Sequence, residues 1–333
     1  MSSSIKILFL RLFLSYLCLF IWPYSSFGAE TSSEKTFEQL ERHFKLQPFF
    51  DFPSYSYYFG APDINGYAYI PNFSPRLGLT VGWKQFEIGF GVGLPIPDAE
   101  TYRRGTTEQS NLMIQTRWRK TAYDFYLQSY RGLYASNPLT EFDGQRPDRY
   151  TQFPDAKVNN YGINFYYLLD EESNYSLKAA FNQKEIQRET GGSYFLMPFY
   201  NHLDVDTGYR LIPGSDPNSL KKTPQVRLIS LETLGLVYGK GHLWVIPESD
   251  WYGVIQVGMG PAVQYQRETF INREEGSSTS LAGKFSFNGA FASNTQTSTY
   301  GAKMIWETMY SRLGSTDMYS TVVTLTLFYG QRF

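Results

Sequence analysis

Three groupings in the sequence carry residue types that chemistry uses. Asp204, Asp206 and Gly208 have the spacing that begins a calcium loop. Gly89-Phe90-Gly91-Val92-Gly93 has the glycine density of a dinucleotide-binding turn. His202 beside Asn201, with Ser193 upstream, offers a base and a hydroxyl for a hydrolase. None completes its motif. The calcium loop lacks its third acid and its distal Glu. A dinucleotide turn must lead from a strand into a helix whose N-terminus meets phosphate, yet these glycines continue a strand and Pro95 follows. Gly235 to Lys240 misses the phosphate-loop spacing, and Gly241 stands where a hydroxyl is required. Ser193 and His202 lie too far apart along one strand to touch, since each residue adds about 3.3 Å. His43, His202 and His242 are scattered. No catalytic residue, cofactor or metal ligand is therefore assigned.

A fourth grouping is a row rather than a motif. Glu87, Gln115, Arg117, Arg119, Asp124, Gln128, Asn164, Lys178, Lys303 and Glu307 all fall opposite apolar residues in alternating segments. Such a row can line a polar pore or a cavity for a small polar solute. It can also fill a lumen, each charge satisfied by another, because a buried charge is costly unless paired. The filled interior is the favoured expectation.

The elements that must position this row have a period of two. Leu77, Leu79, Val81 and Trp83 alternate with Arg76, Gly78, Thr80 and Gly82; Phe86, Ile88, Phe90 and Val92 alternate with Glu87 and glycines. That is a strand repeat, apolar on one face only. It recurs at Leu112–Trp118, Tyr123–Leu127, Tyr161–Tyr167 and Tyr175–Phe181, where Asp170-Glu171-Glu172 is read as the turn. It recurs more weakly at Ser193–Leu203 and Val226–Tyr238, then at Trp251–Met259, Phe285–Phe291 and Tyr300–Trp306. The last segment runs from Tyr319 to Phe333, and a terminal aromatic on such a strand is expected to act as an assembly signal. Polar stretches at 135–157 and around Pro213, Gly214, Pro217 and Pro224 read as long loops. Trp83, Trp118, Trp251 and Trp306 are expected in interfacial girdles.

With Phe49–Phe59 included, the segments number thirteen. A membrane barrel with both termini on the periplasmic side needs an even number. About 12 antiparallel strands are expected, with 14 next. The surplus is assigned to Phe49–Phe59 or to a segment between Glu185 and Val205.

Composition agrees with strands that are greasy on one side. Aromatics make up 18% of the 333 residues, including 27 Tyr and 26 Phe, yet the mean hydropathy is -0.35. The aromatics are spread singly among polar residues. The N-terminus reads as a secretory signal peptide over residues 1–29: a basic start, an apolar run interrupted by Arg11, then a small-residue exit. Cleavage after Ala29 or after Gly28 would remove Cys18, the single cysteine. It would leave 28 Lys+Arg against 31 Asp+Glu, from 30 and 31 in the whole chain. That balance is too mild to imply a polyanion partner, and no nucleic-acid partner is expected. Residues 30–46 read as a periplasmic lead-in, with Phe37, Leu40 and Phe44 at helical spacing. Residues 47–333 read as the barrel.

The chain resembles a bacterial outer-membrane barrel family catalogued as a domain of unknown function, number four-four-two-one. The likeness lies in Pro71-Asn72 through Leu94-Pro95, Arg119-Lys120, Asp124-Phe125-Tyr126 and Tyr130 to Tyr134. It continues in Ala179-Ala180-Phe181-Asn182-Gln183, Gln187, Gly191-Gly192-Ser193 and Gly258 to Gln266. Thr190-Gly191 departs from the expected Ser-Ala pair. The resemblance implies an outer-membrane barrel and supplies no substrate, cofactor or catalytic residue.

The function expected is a non-enzymatic outer-membrane barrel with a structural or passive small-solute transport role. A lipid- or lipopolysaccharide-modifying hydrolase and a soluble secreted ligand-binding β-protein are the alternatives. The expected partners are outer-membrane lipid, the barrel-assembly machinery and a small polar solute.

Overall fold

Alternation decides the architecture. On Trp251–Phe270, Ile255, Val257, Met259 and Val263 point outward and are exposed, while Gln256, Gln264 and Gln266 are buried. The same inside-out pattern on strand after strand cannot stand as an open sheet in lipid. An unpaired backbone N–H or C=O in hydrocarbon costs several kcal/mol, so the edges must meet.

They do meet in the computed structural model, which describes residues 36–61, 64–135, 149–170, 173–208, 226–270, 274–313 and 316–333, with only the backbone described at 61 and 64–67. The signal-peptide reading, the turn at Glu171-Glu172 and the loop around Pro213 to Pro224 lie outside the described residues.

Among the described residues the chain runs β1 (Phe37–Gln39), β2 (Phe44–Ala61), β3 (Ile64–Ile70), β4 (Arg76–Trp83), β5 (Phe86–Gly93), α1 (Asp98–Arg104), β6 (Glu108–Arg117), β7 (Thr121–Ala135) and β8 (Gln152–Leu168). It continues with α2 (Leu177–Phe181), β9 (Glu185–Gln187), β10 (Gly191–Asp206), β11 (Val226–Val245), β12 (Trp251–Phe270), β13 (Glu275–Asn294), β14 (Ser298–Leu313) and β15 (Thr316–Arg332).

Among the described residues one antiparallel sheet of 13 strands closes on itself where β15 pairs with β2, from Asp317 opposite Gly60 to Arg332 opposite Lys45. About 12 of these strands make the ring. The remaining one, β3, is an inset. The strands β4, β5 and β6 are short, so β2 and β7 outrun them, and β3 pairs with both above that step. The start of β2, the end of β15 and the β4–β5 turn mark one rim, here the turn end; the opposite rim is the loop end.

The lumen is filled at both ends. At the loop end Tyr57, Phe59, Tyr69, Phe153, Leu203 and Val205 belong to one buried apolar cluster. At the turn end Tyr166, Phe195, Met197, Val237 and Tyr252 pack with Tyr175, Leu177, Ala179 and Ala180. The last four belong to a segment between β8 and β10 that folds inside the barrel. Its sheet partner is the N-terminal lead: β9 pairs with β1, Phe37 opposite Gln187.

One expected wall strand is a helix. Tyr175–Phe181 alternates like a strand, but it forms α2, capped by Ser176, whose hydroxyl accepts from Ala179 N at 3.3 Å. It is the surplus segment, and Phe49–Phe59 is a true part of β2. Apolar residues at alternating positions suit either a wall or a buried plug; the burial of Leu177, Ala179 and Ala180 settles which. The lead also differs from expectation. Its described part holds β1 rather than a helix, and the barrel strand begins at Phe44, not at residue 47. Trp83, Trp118 and Trp251 do sit at the turn end, but Trp306 lies in the middle of β14.

Candidate functional site

Between the two apolar seals lies a polar layer with a cavity of about 190 Å³. Its residues come from inward positions of strands whose other face is apolar, so the geometry follows from the pleat. Arg76 on β4 pairs with Asp51 on β2 at 2.7 Å, and Thr326 Oγ1 donates to the same carboxylate at 2.6 Å. Lys284 lies 3.1 Å from Glu307 and donates to Asn164 Oδ1 at 3.0 Å. Asp124 takes an ion pair from Arg117 and a hydrogen bond from Gln115 Nε2 at 3.0 Å. Asn160 Nδ2 donates to Gln128 Oε1 at 2.9 Å, and Asn201 Nδ2 donates to Asn160 Oδ1 at 2.6 Å. Such mutual pairing is what makes buried charge tolerable.

Below this layer the plug is tied down by a second set of charges. Glu87 lies 2.6 Å from Lys45 and 3.6 Å from Lys184. Lys45 Nζ also donates to Asn182 O at 2.8 Å. Glu185 is wholly buried; it accepts from the Ser176 hydroxyl and has Arg119 and Lys178 at 3.5 and 3.6 Å. Arg332 donates to Gln183 O and Asn294 Oδ1, both at 2.6 Å. Burial holds the Lys184 ammonium below the ordinary lysine range, against the pull of Glu87.

Eight residues of the expected row lie on wall strands and face the lumen; the other two, Arg119 in the β6–β7 turn and Lys178 on α2, do not. Glu87, Gln115, Asp124, Gln128, Asn164, Lys303 and Glu307 line the cavity, with Arg117 beneath it on Asp124. Arg119 and Lys178 engage the plug. Sequence reasoning missed Lys45, Asp51, Arg76, Lys184, Glu185, Lys284 and Arg332. Asp51, Arg76 and Lys284 sit at positions opposite apolar residues and were open to the same test. Lys184 and Glu185 carry no such signal, because they belong to the plug.

The remaining chemistry-bearing groups stay apart. Asp206 pairs with Arg227 at 3.3 Å, and Asp204 contacts His202 at 3.0 Å. Among the described residues no cluster of three or more His, Cys, Asp or Glu could hold a metal ion. His202 stacks on Tyr161 at 4.5 Å; its cross-strand neighbours, Tyr161 and Glu232, supply no serine. Phe333 is exposed at the turn end, its N–H donating to Phe44 O at 2.9 Å.

Fold and lumen together define a closed, internally plugged transmembrane β-barrel. The chain belongs to the family described as a domain of unknown function (DUF4421), whose model matches residues 54–333. No curated protein matches it in sequence. Among solved structures it is similar to the outer membrane protease OmpT from Escherichia coli, at 8% identity and a TM-score of 0.38, covering 87% of this chain and 97% of that one. It is also similar to the beta domain of the Bordetella autotransporter BrkA, at 9% identity and TM-score 0.36, covering 88% and 100%. The P. putida toluene transporter TodX aligns at 7% identity and TM-score 0.29, covering 87% and 90%.

Proposed function

We propose that the chain is a non-enzymatic barrel of the outer membrane with a passive, solute-handling role. A small polar solute occupies the mid-lumen cavity, and neither end is an open pore. The observation that carries this reading is the segment 173–190 folded into the lumen and tied to the wall by Lys184 on Glu87, Glu185 on Arg119 and Gln183 O on Arg332. A plug held this way closes the turn end while leaving polar groups free to face the cavity above it.

Outer-membrane lipid is the partner of the apolar outer face. The barrel-assembly machinery is the partner of the last strand, with Phe333 as its signal. No nucleic-acid partner is proposed, because the charge balance is mild. The test is conductance of the purified protein in a planar bilayer, with heat-modifiable gel mobility confirming the folded barrel. The expected result is no current above background. A steady open-channel current would overturn the closed-lumen reading.

A further inference from the structure

The glycine run Gly89–Gly93, dismissed as a nucleotide loop, sits at a break in the barrel wall. The strand β4 pairs with β5 as far as Gly93, and β6 pairs with β7 as far as Glu108. Between them, β5 and β6 pair only from Phe86 opposite Thr116 to Gly89 opposite Met113. Beyond that point Phe90–Gly93 and Glu108–Leu112 are two facing edges with no ladder between them. In hydrocarbon such edges are tolerated only where the backbone lines a hydrated cavity or is buried in protein. The mid-lumen cavity reaches this seam, with Gly89 and Gly91 on one lip and Asn111 and Met113 on the other.

Packing does not demand glycine at Gly89 or Gly91, although at Gly93 a Cβ would meet Ser74 Oγ at 2.8 Å and Gln109 Nε2, from β6, at 3.0 Å. A Cβ at Gly89 would meet only Thr80 Oγ1 at 3.3 Å, and one at Gly91 would meet nothing nearer than 3.4 Å. The missing side chains leave the β5 lip bare on its lumen side at Gly89 and Gly91. Outside it are Phe90, 55% exposed, and Leu112, 37% exposed. Among the described residues apolar clusters close both ends of the lumen, which leaves the side wall as a route.

The cavity also carries a charge preference. Each carboxylate on its lining has a cation: Asp51 has Arg76, Glu87 has Lys45, Asp124 has Arg117 and Glu307 has Lys284. Lys303 lines the same cavity and has no carboxylate within 4.0 Å among the described residues. A volume of about 190 Å³ is below the roughly 300–1,000 Å³ of sites that enclose a whole drug-sized ligand. It suits a head group whose tail lies elsewhere.

We propose that the β5–β6 seam is a lateral port for a single-chain anionic amphiphile, with its carboxylate at Lys303 and its tail passing between Phe90 and Leu112 into lipid. This rests on the closed-lumen reading and adds the ligand class and the route.

The test measures binding of dodecanoate to the full barrel in lipid nanodiscs, against empty nanodiscs, dodecanol, dodecyltrimethylammonium and acetate. Dodecanoate is expected to bind about tenfold or more tightly than dodecanol, the effect of one charge-assisted hydrogen bond. Lys303→Gln should erase that preference. Gly91→Val should weaken dodecanoate binding. The pair Gly91→Cys with Asn111→Cys should block dodecanoate when oxidised and restore it on reduction, provided heat-modifiable mobility shows a folded barrel in both states. Equal binding to empty nanodiscs, or no effect of Lys303→Gln and of the oxidised pair, would overturn the port. Acetate binding without dodecanoate binding would overturn the port alone and leave the solute-holding lumen standing. A steady bilayer current would instead strike the closed-lumen reading.

Discussion

Lys45 on β2 and Glu87 on β5 meet inside the lumen at 2.6 Å although β4 stands between their strands. The intervening residue in that cross-strand row is Gly82, paired with Lys45 on one side and with Glu87 on the other. With no side chain at Gly82, the lysine and the glutamate reach across the gap and Lys184 of the plug joins them. Plug and wall are thus one electrostatic unit. Glu87→Gln would leave two buried ammonium groups without their carboxylate, a loss of about 3–5 kcal/mol. Lys45→Met should cost less, because Lys184 still faces Glu87. Denaturant midpoints read from folded and unfolded gel bands would check the order. Equal midpoints for the two variants would refute it.

A pH effect follows from the tether of the N-terminal lead. Glu38 accepts from Gln296 Nε2 at 2.6 Å and pairs with Arg188 at 2.5 Å. The hydrogen bond from Gln296, then that from Arg188 and its charge, hold the Glu38 carboxyl below its ordinary value of 4.5, against partial desolvation. A depressed carboxylate stabilises the docked lead above the unfolded pKa and loses that contribution as pH falls through the folded one. The pair is partly exposed and screened, so the effect is below about 1 kcal/mol. Proteolysis of the lead should quicken between neutral pH and pH below 4.5, and Glu38→Gln should flatten that dependence. An unchanged profile in the variant would remove Glu38 as the cause.

Gly132 tests a backbone requirement. Its φ is +94°, and it lies at a register shift of β7 against β8. A Cβ there would run into the carbonyl oxygen of Thr106, while Thr107 Oγ1 already donates to Gly132 O at 2.7 Å. Gly132→Ala should destabilise by more than about 1 kcal/mol, since both φ and space oppose it. A denaturation midpoint equal to wild type would show that the bulge relaxes freely.

The outer face can be tested separately from the lumen. Leu236 is near the middle of β11 and 45% exposed, on the side away from Val237, which is buried. Leu236→Arg would place a charge in the lipid midplane at about 2–4 kcal/mol. Refolding yield into vesicles should fall while the unfolded chain stays soluble in denaturant. Undiminished yield would mean that this face does not meet hydrocarbon.

The sequence by itself determined the wall. A two-residue period of apolar and polar residues dictates which side chains face out on β4, β5, β12 and β15, and closure follows because lipid offers no partner to a bare strand edge. It therefore also determined that the eight polar residues of the row on wall strands, from Glu87 to Glu307, face inward. The tertiary structure alone decided what fills the lumen. Leu177, Ala179 and Phe181 alternate as a wall strand would, and only the enclosure of Leu177 and Ala179 by Phe195, Met197 and Tyr252 makes their segment a plug. Nor does local pattern encode which charges meet. Lys45, Glu87 and Lys184 come together through strand register and a folded-in loop. The same holds for the seam, since Gly89–Gly93 looks like any glycine-rich strand until its pairing with β6 is seen to stop at Met113.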